Sequence, residues 1–134
     1  MTEDFSGVWR CTYWYTSQRR GPGEYESSHL MLAQRRGNQL VFENLPGDDG
    51  SYLLVHLRLD GRIASGSWEE NASDDGPFKG ARFYGPLQLV IDEDGKAFRG
   101  MYLAAGRGMY VKAGKWEIVH EALESPEYIK TARQ

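Results

Sequence analysis

Apolar and polar residues alternate along most of this chain with a period of two, the spacing of a strand that buries one face. Over residues 8–17, Trp9, Cys11, Tyr13 and Tyr15 fall at one parity, and Arg10, Thr12, Trp14 and Thr16 at the other. Residues 51–59 repeat the pattern, with Leu53, Val55, Leu57 and Leu59 opposite Tyr52, His56 and Arg58. In residues 80–91, Ala81, Phe83, Leu87, Leu89 and Ile91 share a face. Further strands are predicted over residues 25–35, 39–45, 62–69 and 96–104, and two short ones over 109–112 and 115–120.

The breaks between these runs carry turn chemistry. Asp60-Gly61 is the strongest hairpin signal, Arg36-Gly37-Asn38 a compact turn, and Asp92-Glu93-Asp94-Gly95 a third. Arg19-Arg20-Gly21-Pro22-Gly23 reads as an exposed loop, Pro46 to Gly50 as another, and residues 70–79 as the longest. Turns at 106–108 and at Ala113-Gly114 separate the last short strands. Eight or nine strands joined mostly by short turns predict an all-β fold, an antiparallel up-and-down barrel, because closure removes the edges that an open meander exposes. The barrel is expected over residues 1–121. Residues 122–134 are expected as a tail, partly helical or disordered, with Pro126 interrupting the one helical stretch.

Composition narrows the function. Sixteen Lys and Arg against nineteen Asp and Glu give a net charge of −3, without the concentrated basic surface that nucleic acid requires. No apolar run approaches the roughly 20 residues of a spanning helix, and the first residues lack a secretory pattern, so a cytoplasmic protein is expected. The single cysteine, Cys11, rules out an internal disulfide framework and a multi-cysteine zinc site. Its parity with Trp9 and Tyr13 makes it a buried thiol rather than a nucleophile. No Gly-x-Ser-x-Gly elbow, phosphate-binding glycine loop or His-Glu-x-x-His occurs, so no catalytic residue, metal ligand or cofactor is assigned. The paired acids Glu69-Glu70 and Asp74-Asp75 read as solvated charge beside or within a loop.

Ser6-Gly7-Val8-Trp9 resembles the start of a calycin, in which a Gly-x-Trp near the N-terminus plugs one end of a lipocalin-type barrel. Further stretches resemble the lipocalin-like domain at the C-terminal end of many bacterial helix-turn-helix regulators. They are Arg36-Gly37-Asn38-Gln39-Leu40, Gly66-Ser67-Trp68-Glu69-Glu70, Phe78-Lys79-Gly80-Ala81 with Tyr84-Gly85, Ile91-Asp92 with Gly95, and Gly114-Lys115-Trp116-Glu117. The resemblance spans about residues 5–120 and implies a barrel that binds or senses a small molecule. No helix-turn-helix precedes the first strand, so the DNA-directed role of that family is not expected here. A haem-binding barrel resembling nitrobindin would use a histidine near the position of His120, but one histidine is easily found by chance.

Taking the more apolar parity of each strand as inward sends large aromatics toward the interior, interleaved with Gly66, Gly85 and Gly100. An eight-stranded barrel is either filled by such side chains or holds one small ligand, and both outcomes stay open. The candidate ligand-binding residues are Tyr13, Tyr15, His29, Met31, Phe42, Trp68, Phe83, Tyr102 and Trp116. A small, flat, partly polar ligand would stack among the rings, with His29 as a hydrogen-bond partner at one end. Two alternatives belong to other classes. One is a motif-free cyclase or isomerase that uses the interior as a template. The other is a solid barrel whose exposed aromatics bind a protein partner or a second copy as a homodimer.

Overall fold

The structure is a computed structural model that describes residues 5, 7–17, 21–45, 52–71, 82–105 and 111–122. Eight strands form a closed antiparallel barrel in which each pairs with its sequence neighbours and the first with the last. They are β1 (Val8–Ser17), β2 (Gly21–Arg36), β3 (Gln39–Asn44), β4 (Tyr52–Asp60), β5 (Ile63–Asn71), β6 (Arg82–Ile91), β7 (Ala97–Ala105) and β8 (Val111–Ala122). No helix occurs among the described residues. This architecture fits a lipocalin-like barrel.

The alternation noted above sorts into an outer and an inner face. Cys11, Met31, Leu40, Phe42, Leu53, Val55, Leu89, Phe98, Trp116 and Ile118 are wholly buried and form one contiguous core inside the barrel. Trp14 lies on the outer face, half-buried, with the Lys115 ammonium 5.2 Å from its ring. Two hairpins place glycine at the first of two turn positions, Gly37 between β2 and β3 and Gly61 between β4 and β5, each with φ of +59°.

Four details differ from the pattern reading. Of the eight or nine strands expected, eight occur among the described residues, because residues 111–122 form one strand through Ala113-Gly114, which was expected as a turn. Gly114 is there for space and not for a turn: a Cβ on it would stand 2.6 Å from Tyr102 Cε1 and 2.4 Å from the Trp14 carbonyl oxygen. The expected loop at 19–23 is partly strand, since β2 begins at Gly21, and the irregularity is taken up by a register shift between Thr16 and Ser17. Ala122, expected in the tail, is the last residue of β8, while the rest of the expected tail lies outside the described residues. Glu70 and Asn71 belong to β5 rather than to the long loop, of which residues 72–79 also lie outside the described residues.

One end of the barrel is capped. The β2–β3, β4–β5 and β6–β7 turns lie there, and Phe5 packs its ring against Trp9 and Phe98 at centroid distances of 6.2 and 5.4 Å. Trp9 Nε1 donates to the Phe5 carbonyl at 2.9 Å, and the Arg35 guanidinium sits 5.5 Å above the Phe5 ring. Phe5 has a left-handed φ of +53°, a strain of about 1–2 kcal/mol for a residue with a side chain, and these contacts hold it there.

Candidate ligand site at the barrel rim

Toward the other end, the rim, inner-face residues gain access to solvent. Trp68, Tyr102 and Tyr13 are buried, the Glu70 side chain is 14% exposed, Tyr15 and Tyr25 are half-buried, and Phe83 is 40% exposed. The pairing register explains the grouping. Tyr13 stands opposite Trp116 on β8, Trp116 opposite Gly100 on β7, Tyr102 opposite Leu87 on β6, and Phe83 opposite Glu70 on β5. Closure then brings these strands around one interior.

The rings pack on one another. Tyr13 is stacked on Trp116 with centroids 4.9 Å apart and, nearly parallel to His29, 6.1 Å from that ring. Tyr102 meets Trp68 and Trp116 edge to face at 5.5 and 5.4 Å. Trp68 Nε1 donates to the Leu103 carbonyl at 3.1 Å across from Gly85, where a Cβ would stand 3.3 Å from that same nitrogen and 1.9 Å from the carbonyl oxygen. Tyr102 donates its hydroxyl to the Trp14 carbonyl at 2.6 Å. Glycine on the neighbouring strand thus lets each ring lie close against the wall.

Within this aromatic cluster sits a polar network. The Tyr13 hydroxyl donates to Glu70 Oε1. Glu70 Oε2 lies 3.5 Å from His29 Nε2, which is also 3.3 Å from Ser27 Oγ. The His29 side chain is fully buried. Burial first, and the Glu70 carboxylate after it, raise the pKa values of groups around this network. Burial, then the charge of Glu70 and its hydrogen bond, hold the Tyr13 phenol far above its usual pKa. Burial and then Glu70 raise the Cys11 thiol well above its usual value, so it stays protonated. Tyr102 is pushed up to about 12, by burial first and then by Tyr15, Glu24 and Glu70. Beside Cys11, the buried Trp116 indole N–H makes no hydrogen bond of ordinary geometry among the described residues.

The nine candidate residues separate by height along the barrel. Tyr13, His29, Trp68, Tyr102 and Trp116 form the cluster, with Tyr15 and Phe83 nearer the rim. Met31 and Phe42 lie toward the capped end, Met31 opposite Trp9 and Phe42 in edge contact with Trp9 and Phe98. His120 also belongs to that end, its ring 5.0 Å from Trp9. His56 is exposed on the outer face. Glu70 was missed by sequence reasoning. Its doublet with Glu69 is not one solvated pair: Glu69 turns outward to Arg82, with Nε–Oε2 at 2.5 Å, and Glu70 turns inward. The signal was present in the parity of Ala64, Gly66, Trp68 and Glu70. No group of three metal-ligating side chains is found among the described residues. Nor is any helix there long and apolar enough to cross a membrane.

No model of a protein family and no curated protein matches this chain. Among solved structures, a mutant of LTBP1 in complex with leukotriene C4 is similar at 13% identity and a TM-score of 0.48, over 96% of this chain and 75% of that one.

Proposed function

We propose that the barrel binds a small, partly polar molecule at its rim, between the aromatic rings and the Glu70–His29–Tyr13 network. The observation that carries this reading is a carboxylate on the inner face, hydrogen-bonded by a phenol, close to a buried imidazole and still in touch with solvent. Burying such a group is costly, and a hydrophobic core has no use for it. Ligand sites, in contrast, combine apolar walls with a few convergent polar groups. The motif stretches quoted above support relating the chain to the sensing domains of bacterial regulators, with a small molecule as its partner in the cytoplasm. A template enzyme would use the same residues, and turnover of a bound compound would distinguish it.

An outer-face feature favours a second reading, the interaction module. Tyr84, Met101, Leu103 and Val111 are exposed apolar residues on neighbouring strands β6, β7 and β8. Native mass spectrometry of the purified protein under gentle and denaturing conditions separates the two. A small-molecule adduct lost on denaturation is expected. A doubled chain mass with no adduct, and no ligand-induced rise in melting temperature across a compound screen, would favour the interaction module instead.

A further inference from the structure

The site's charge distribution narrows the ligand class, an inference that rests on the rim being a ligand site. On the outer face, carboxylates meet arginines: Glu69 with Arg82, Asp92 and Glu117 with Arg99, and Glu121 with Arg10. Glu70 has no arginine partner among the described residues. Its contacts among the described residues are the neutral Tyr13 phenol and the His29 imidazole. Arg35, the one arginine on the inner face among the described residues, is at the capped end over Phe5, and Lys112, which shares the parity of Gly114 and Trp116 and pairs with Ala104, is exposed at the rim end of β8 and makes no ion pair with Glu70. Tyr13 contacts Glu70 through its hydroxyl, and Tyr15 and Trp68 contact the Tyr13 ring; the faces of such rings carry negative electrostatic potential. An anionic group placed at Glu70 would meet like charge.

We propose that the rim binds an organic cation, a flat aromatic body carrying a protonated amine, with the ammonium held by Glu70 and the body stacked against Tyr15 and Phe83. The ammonium supplies charge-assisted donors to the carboxylate, and the rings favour the cation from their faces. His29 is a positioning residue in this arrangement, holding the carboxylate from the side away from solvent.

Isothermal calorimetry with isosteric probes tests this: tryptamine as the cation, propylindole as the neutral form, indolepropionate as the anion, and the same trio built on phenyl and naphthyl rings. The cation of at least one trio should bind about tenfold or more tightly than its neutral partner, and the anion weakest. Glu70→Gln should abolish that preference while leaving neutral-probe affinity within about threefold. Glu69→Gln, on the outer face, should change neither. Should Glu70→Gln fail to fold, the preference within the wild-type trios decides alone. Equal binding of cation and neutral probes, or preference for the anion, would overturn the charge assignment and leave the rim site standing. No binding by any probe would overturn both.

Discussion

At the capped end, Trp9 turns its indole N–H onto the Phe5 carbonyl at 2.9 Å, and Phe42 and Phe98 close around its ring edge to face. At the rim, Trp116 is buried as deeply, yet its indole N–H lacks an ordinary partner among the described residues, and the tyrosine stacked on it donates to a carboxylate that reaches solvent. The two clusters use the same residue types. The difference teaches that aromatic content does not itself mark a site: at the capped end the polar atoms are satisfied internally and the rings provide stability, whereas at the rim a charged group is kept inside at a cost to it.

Substitutions should sort by end. Trp9→Ala removes a large buried ring together with the Phe5 hydrogen bond, and should cost about 3–5 kcal/mol in urea unfolding while leaving the rim's chemistry in whatever protein remains folded. A smaller loss, about 1–3 kcal/mol, is expected for Gly114→Ala, because the new Cβ must displace the Tyr102 ring or the Trp14 carbonyl. That variant should also alter ligand affinity, which Trp9→Ala should not.

The rim is sensitive to alkali. Tyr102 has its pKa raised from 10.0 to about 12 in the fold, so above pH 10 the unfolded chain releases a proton that the folded chain keeps. Its stabilising contribution is complete below pH 10 and is lost as pH rises toward 12, a slope that denaturant titrations across this window should show and that Tyr102→Phe should reduce. The smallest effect on stability belongs to Glu70→Gln, within about 1 kcal/mol, because the amide oxygen can still accept from Tyr13. Its signature is spectroscopic. With the charge gone, Tyr13 should ionise at lower pH, read from tyrosinate absorbance, although burial still holds it above the ordinary value.

Strand identity and facing were legible in the sequence because a period of two encodes both, as in Trp9, Cys11, Tyr13 and Tyr15. Height along the barrel was not, since parity says which face a residue takes but not which neighbours closure gives it. Phe42 and Met31 therefore joined the same candidate list as Tyr13, although their register sets them toward Trp9. Gly114 was misread because a glycine before a charged residue looks like a turn, while its actual role, clearance for Tyr102, depends on a strand distant in sequence. Glu70 was hidden by Glu69: adjacent acids near a polar stretch look solvated until strand alternation is carried through to the last residues of β5.

The four tryptophans give the most direct test of a ligand site at the rim, since their indole N–H groups report the capped end (Trp9), the rim cluster (Trp68 and Trp116) and the outer face (Trp14). Two-dimensional nitrogen–proton NMR of the labelled protein, titrated with the tightest-binding probe, should shift the Trp68 and Trp116 indole signals and leave those of Trp9 and Trp14 in place. Movement of Trp9 as large as that of Trp116, or of Trp14 alone, would contradict a rim site and locate binding at the capped end or on the outer surface.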